Sequence, residues 1–184
     1  MKGRLQTLFP LRASTSSPIP HLKNTLKSTM YKVLEQHQKS HLTLLSIFLL
    51  YSSTQNQRHQ QIIFKSMVVP TTSEYTVLST PVIGVPVIGH TDTFLSIGKF
   101  ADAQEAERCL IYVKAKFTRC MLGTLKATQH NPRDTWANVP LQDFTAESDI
   151  DWSQPVEGID RQLYRKYGLT DDEIAFIESM IKPM

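Results

Sequence analysis

The sequence predicts an α+β fold: a small strand set packed on one long helix, two short closing helices, and a poorly structured amino-terminal half. Three observations carry this prediction. Apolar residues recur at spacings of three and four between residues 102 and 126, an alternating polar and apolar stretch precedes them, and helix caps with placed glycines appear only in the second half of the chain. With 184 residues and 41% apolar content the chain can bury one ordinary core. Charge divides it unevenly. Residues 1–90 carry nine Lys/Arg against two Asp/Glu, a net +7, whereas residues 91–184 carry eleven against fifteen, a net −4. The contrast predicts a disordered or weakly helical leader over residues 1–74 and a carboxy-terminal module over 75–184, with residues 91–184 resistant to proteolysis.

Residues 1–66 offer few structural signals. Arg12 opens a basic, Ser-rich, acid-poor stretch that resembles a transit segment. The apolar run over 42–51 is about ten residues long, too short to span a bilayer, and reads as a buried helix. Residues 53–61 are Gln-rich and polar, without an apolar face. A shifted reading frame would also produce such a leader. From Tyr75 the pattern sharpens. Pro81-Val82-Ile83-Gly84 is repeated as Pro86-Val87-Ile88-Gly89, with prolines that restrict both copies to an edge strand or a short extended segment. Thr93 to Ile97 then reads as a half-buried strand, ended by Gly98.

Asp102 and Glu105 have the spacing of an acidic capping box, and acids near the start suit the helix dipole. Ala106, Cys109, Leu110, Val113, Phe117, Cys120 and Met121 then form one apolar stripe. Cys109 and Cys120 are eleven residues apart, roughly 16 Å along a helix, so they are expected as free core thiols in a reducing compartment, the cytoplasm. Opposite the stripe, Arg108, Arg119 and Lys126 are separated by near-whole numbers of turns, with Lys114 and Lys116 flanking the apolar face and Arg133 in the following loop. Two readings stay open for this ridge: a solvated basic face, or a surface that follows a phosphate backbone.

Trp136, Val139, Leu141 and Phe144 read as apolar anchors in an irregular segment laid over the core. The neighbouring acids Asp143, Glu147, Asp149 and Asp151 read as solvated loop residues rather than a metal site. Val156, Ile159, Leu163 and Tyr167 share a helical face, closed by Gly168 as a left-handed residue with Leu169 folding back on Tyr164. Thr170 and Glu173 predict a capping box for the last helix. Its Ile174, Ile177 and Ile181 form one apolar face and Phe176 and Met180 another, which leaves one face to be covered.

No glycine-rich cofactor loop, nucleophile elbow or His-Glu-x-x-His sequence is present. Asn131-Pro132-Arg133-Asp134 starts like an adenine-methyltransferase motif but lacks its second proline and its base-stacking aromatic. The ordered set Thr93-Phe94-Leu95-Ser96-Ile97-Gly98, Glu105-Ala106, Tyr112-Val113-Lys114-Ala115-Lys116-Phe117, Val139-Pro140-Leu141-Gln142-Asp143-Phe144, and Leu163-Tyr164-Arg165-Lys166-Tyr167-Gly168-Leu169 through Ile174-Ala175-Phe176-Ile177-Glu178 resembles the carboxy-terminal region of bacterial type II restriction–modification enzymes with an adenine-specific DNA methyltransferase domain. The resemblance covers about half of the chain. It implies a role in target DNA recognition, with DNA as partner and the basic ridge as the contact. It also implies a truncated product whose missing methyltransferase or nuclease portion would use S-adenosylmethionine and Mg, with no cofactor in this chain. The alternative is a protein-interaction module that docks through its apolar last helix.

Overall fold

The computed structural model describes residues 19–38, 60–65, 78–85, 93–100, 102–125, 133–136 and 139–184, and its class is α+β. A helix α1 (Ile19–Gln38) is followed by strands β1 (Gln60–Lys65), β2 (Val82–Gly84) and β3 (Phe94–Phe100). Helices α2 (Ala103–Lys114), α3 (Lys116–Leu125), α4 (Arg133–Trp136), α5 (Val156–Lys166) and α6 (Asp171–Met180) complete the order. The apolar run 42–51 and the second Pro-Val-Ile-Gly copy lie outside the described residues.

The sheet is antiparallel in the order β2-β1-β3, so its central strand comes from the expected leader. Ile62 faces Ile83 on one side and Ile97 on the other, and Ile62 and Ile97 are fully buried. β2 lies at the edge of the sheet, with Pro81 immediately before its first residue. β3 extends through Gly98 rather than ending there. The register shifts by one residue between Gln60 and Ile62, and Gly98 takes φ 86° at this bulge. A Cβ on Gly98 would sit 2.0 Å from the Phe100 ring, so this backbone admits only glycine.

α1 is the helical part of the expected leader. Leu26, Met30, Val33 and Leu34 bury one side of it, and it packs against α3 and α6. Thr29 donates a hydrogen bond to Glu173 at the start of α6. Phe176, one turn further along, is 6% exposed. The second apolar face of α6, which the sequence leaves for a partner, is thus met by a helix of the same chain. The remaining residues of 1–74 lie outside the description.

The closing helices follow their local signals closely. Gly168 takes φ 64°, its N–H donates to the Arg165 carbonyl and the Leu169 N–H donates to the Tyr164 carbonyl at 3.0 Å, a Schellman ending. At α6, Thr170 and Glu173 form the expected reciprocal capping box. Asp102 caps α2 by accepting the Gln104 N–H at 3.0 Å, so the capped position is one residue earlier than a box with Glu105 requires.

Candidate nucleic-acid interface

The single long helix expected over residues 102–126 is two helices. Ala115 leaves helical angles, with φ −56° and ψ 142°, and serves as the end of α2 and the start of α3. Alanine cannot cap the new amino terminus, and the cap arrives from α5. Asp160 accepts the Lys116 N–H at 3.1 Å on one oxygen and the Phe117 N–H at 2.9 Å on the other. It is 1% exposed. Burial raises its carboxyl to about 6, against the pull of the Phe117 and Lys116 amides and of Arg119, with Glu178 adding to the rise.

This break reorganises the expected ridge. Eleven residues no longer equal three turns of one continuous helix, and Arg119 turns inward to 5% exposure. Its Nε donates to the Lys114 carbonyl at 3.0 Å, closing the carboxyl end of α2. A guanidinium there complements the helix dipole, as the Asp160 carboxylate does at the start of α3. Lys116 is 7% exposed and pairs with Glu178, which also accepts the Tyr164 hydroxyl at 2.9 Å. Lys116 and Arg119 therefore belong to a buried polar junction and do not form a solvent-facing ridge.

Arg108 is half-buried elsewhere. Its guanidinium donates to the Phe144 carbonyl at 2.7 Å and to Gln104 at 3.3 Å. Tyr112, one turn along α2 from Arg108, is fully buried under the same segment. Its hydroxyl donates to the Pro140 carbonyl at 2.7 Å and its ring lies 6.3 Å from Trp152 at 81°. The irregular segment thus buries Tyr112 and leaves Arg108 half-covered on the far face of α2. The groove beside Arg108 is also lined by Glu107 and Asp151, a mixed-charge surface. Lys114 stays half-exposed. Lys126 and the side chain of Arg133 lie outside the described residues.

Three of the loop acids, Asp143, Asp149 and Asp151, have structural partners. Asp143 accepts the Thr145 N–H at 2.8 Å, a bond that holds its carboxyl below the usual range. Asp151 caps the turn at Ser153, and Asp149 pairs with Lys166 at 2.7 Å. Among the described residues no three His, Cys, Asp or Glu side chains gather as a metal would require. Cys109 and Cys120 are free and buried, and burial raises both thiols.

The surface that sequence reasoning missed is on α1. Lys23, Lys27 and Lys32 are exposed there, beside Tyr31 at 50% exposure. The spacing of Leu22, Leu26, Met30 and Val33 was the available signal for this helix. No helix among the described residues is long and apolar enough to cross a membrane. Comparison with protein-family models, curated proteins and solved structures finds no match to this chain.

Proposed function

We propose that this chain is a DNA-binding module without a catalytic centre of its own, working in the cytoplasm as part of a restriction–modification system. Methyl transfer from S-adenosylmethionine and Mg-dependent cleavage would belong to a separate methyltransferase or nuclease portion. The observation that carries the DNA reading is the placement of charge. The amino-terminal half has a net +7, and α1 shows three exposed lysines with Glu35 as its single acid. Such an imbalance favours a polyanion, since each neutralised phosphate releases counterions. The rival reading, docking through α6, is weaker because α1 already meets the Phe176 side of that helix.

The test is binding of the full chain to a fluorescent DNA duplex over a salt series. The reading expects affinity to fall steeply, with a log–log slope of about −0.9 for each phosphate contact. Absence of binding at about 50 mM salt, where such contacts are strong, would overturn it.

A further inference from the structure

The buried side of α1 faces α3 and α6, which leaves the outward side to define what the helix contacts. At 100° per residue, Lys27 and Lys32 stand about 140° apart around the axis. Between them lie Asn24 and Ser28, exposed and polar, with His21 adjoining Lys32 and Tyr31 adjoining Lys27. The Lys27 ammonium lies 6.0 Å from the centre of the Tyr31 ring, and the His21 ring is held by Thr25 at 3.1 Å. A shallow groove follows His21, Asn24, Thr25 and Ser28. The pattern is a polar row bordered on both sides by lysine.

We propose that this face of α1 lies in the major groove of duplex DNA, with Lys27 and Lys32 on opposite phosphate walls and Asn24 and Ser28 toward the base edges. The inference rests on the DNA-binding reading above and assigns its contact surface. A helix about 10–12 Å across with its side chains matches a groove about 12 Å wide. Lysines on both borders can then reach both strands, while amide and hydroxyl groups between them meet base donors and acceptors. The same face is poorly suited to a bilayer, because its centre is polar where an interfacial helix places apolar residues. It is equally unlike a single-strand platform, which needs several stacking aromatics rather than Tyr31 alone. Glu35 lies on this face eleven residues beyond Asn24, roughly 16 Å along the axis. It also stands only three residues beyond Lys32, so its charge opposes binding at that end and partly offsets that lysine.

The experiment compares full-length wild type, Lys27→Ala/Lys32→Ala, Asn24→Ala/Ser28→Ala, Glu35→Gln and Arg108→Ala/Lys114→Ala by fluorescence anisotropy on duplex DNA. Circular dichroism melts control for folding. Loss of two phosphate contacts should flatten the log–log salt slope by about 1.8. The Asn24/Ser28 variant should bind but discriminate less among sequences, and Glu35→Gln should bind more tightly. An unchanged slope in the Lys27/Lys32 variant, with wild-type binding intact, overturns the α1 assignment alone. Loss of slope only in the Arg108/Lys114 variant moves the contact to α2 and also overturns it. Stronger binding to phosphatidylserine vesicles than to duplex would replace DNA with a membrane. A wild type that binds no DNA removes the DNA-binding reading itself.

Discussion

Helix α1 and the α2–α3 pair both carry basic residues and use them in opposite ways. On α1, Lys27 and Lys32 stand in solvent. At the α2–α3 junction, Lys116 and Arg119 are buried, one paired with Glu178 and the other bonded to the Lys114 carbonyl. The difference lies in enclosure. α1 packs on one side, whereas α2 and α3 meet the sheet, the irregular segment and α5 or α6. A charge on an enclosed helix must find internal partners, because an uncompensated buried ion costs several kcal/mol. Spacing places a charge on a helical face, and the surrounding elements decide whether that face is surface.

The comparison breaks most visibly at Asp160, which makes the junction possible. Asp160→Ala leaves the Lys116 and Phe117 amides buried without an acceptor and removes the nearby negative charge from Arg119, so stability should fall by about 3–5 kcal/mol in urea unfolding. A loss below about 1 kcal/mol, the scale of a single ordinary hydrogen bond, would contradict the junction. Gly98→Ala should cost about 2–4 kcal/mol, because positive φ and the Phe100 ring both oppose a Cβ. A circular dichroism melt of this variant reads the loss directly.

Titration sharpens the same contrast. Asp160 is raised to about 6 in the fold, above the usual carboxylate value of about 3.9. The folded protein therefore holds this proton more tightly than the unfolded chain. The resulting stabilisation is complete below the unfolded value and is lost as pH rises through about 6. Between about pH 4 and 6 wild type should lose roughly 2 kcal/mol relative to Asp160→Asn, measured by denaturation at each pH. The smallest effect is expected on α1. Lys27→Ala/Lys32→Ala should change stability by no more than about 0.5 kcal/mol, as suits exposed side chains, and a larger loss in urea unfolding would mean that those lysines are structural.

Local signals made the carboxy-terminal elements legible. Gly168, Thr170 and Glu173 act within a few residues of their own positions, and the structure has the predicted caps. The break at Ala115 had no such signal. No proline or glycine marks it, and the group that caps it sits 45 residues away on α5. The same limit hid β1, whose Ile62 and Ile63 become a strand through pairing with distant β2 and β3. The basic side of the candidate interface was misplaced for a related reason. Arg108 looks solvent-facing until the segment carrying Pro140 and Phe144, which buries Tyr112, half-covers it.

The central claim is that the two halves of the chain share one core, with β1 at the centre of the sheet. Amide hydrogen exchange of the full chain, followed by mass spectrometry, tests it without altering a residue. Peptides covering Gln60–Lys65 should be protected to the same degree as those covering Phe94–Phe100, since each Ile62–Ile97 neighbour lies in one ladder. Unfolded-rate exchange in β1 beside a protected β3 would contradict the account.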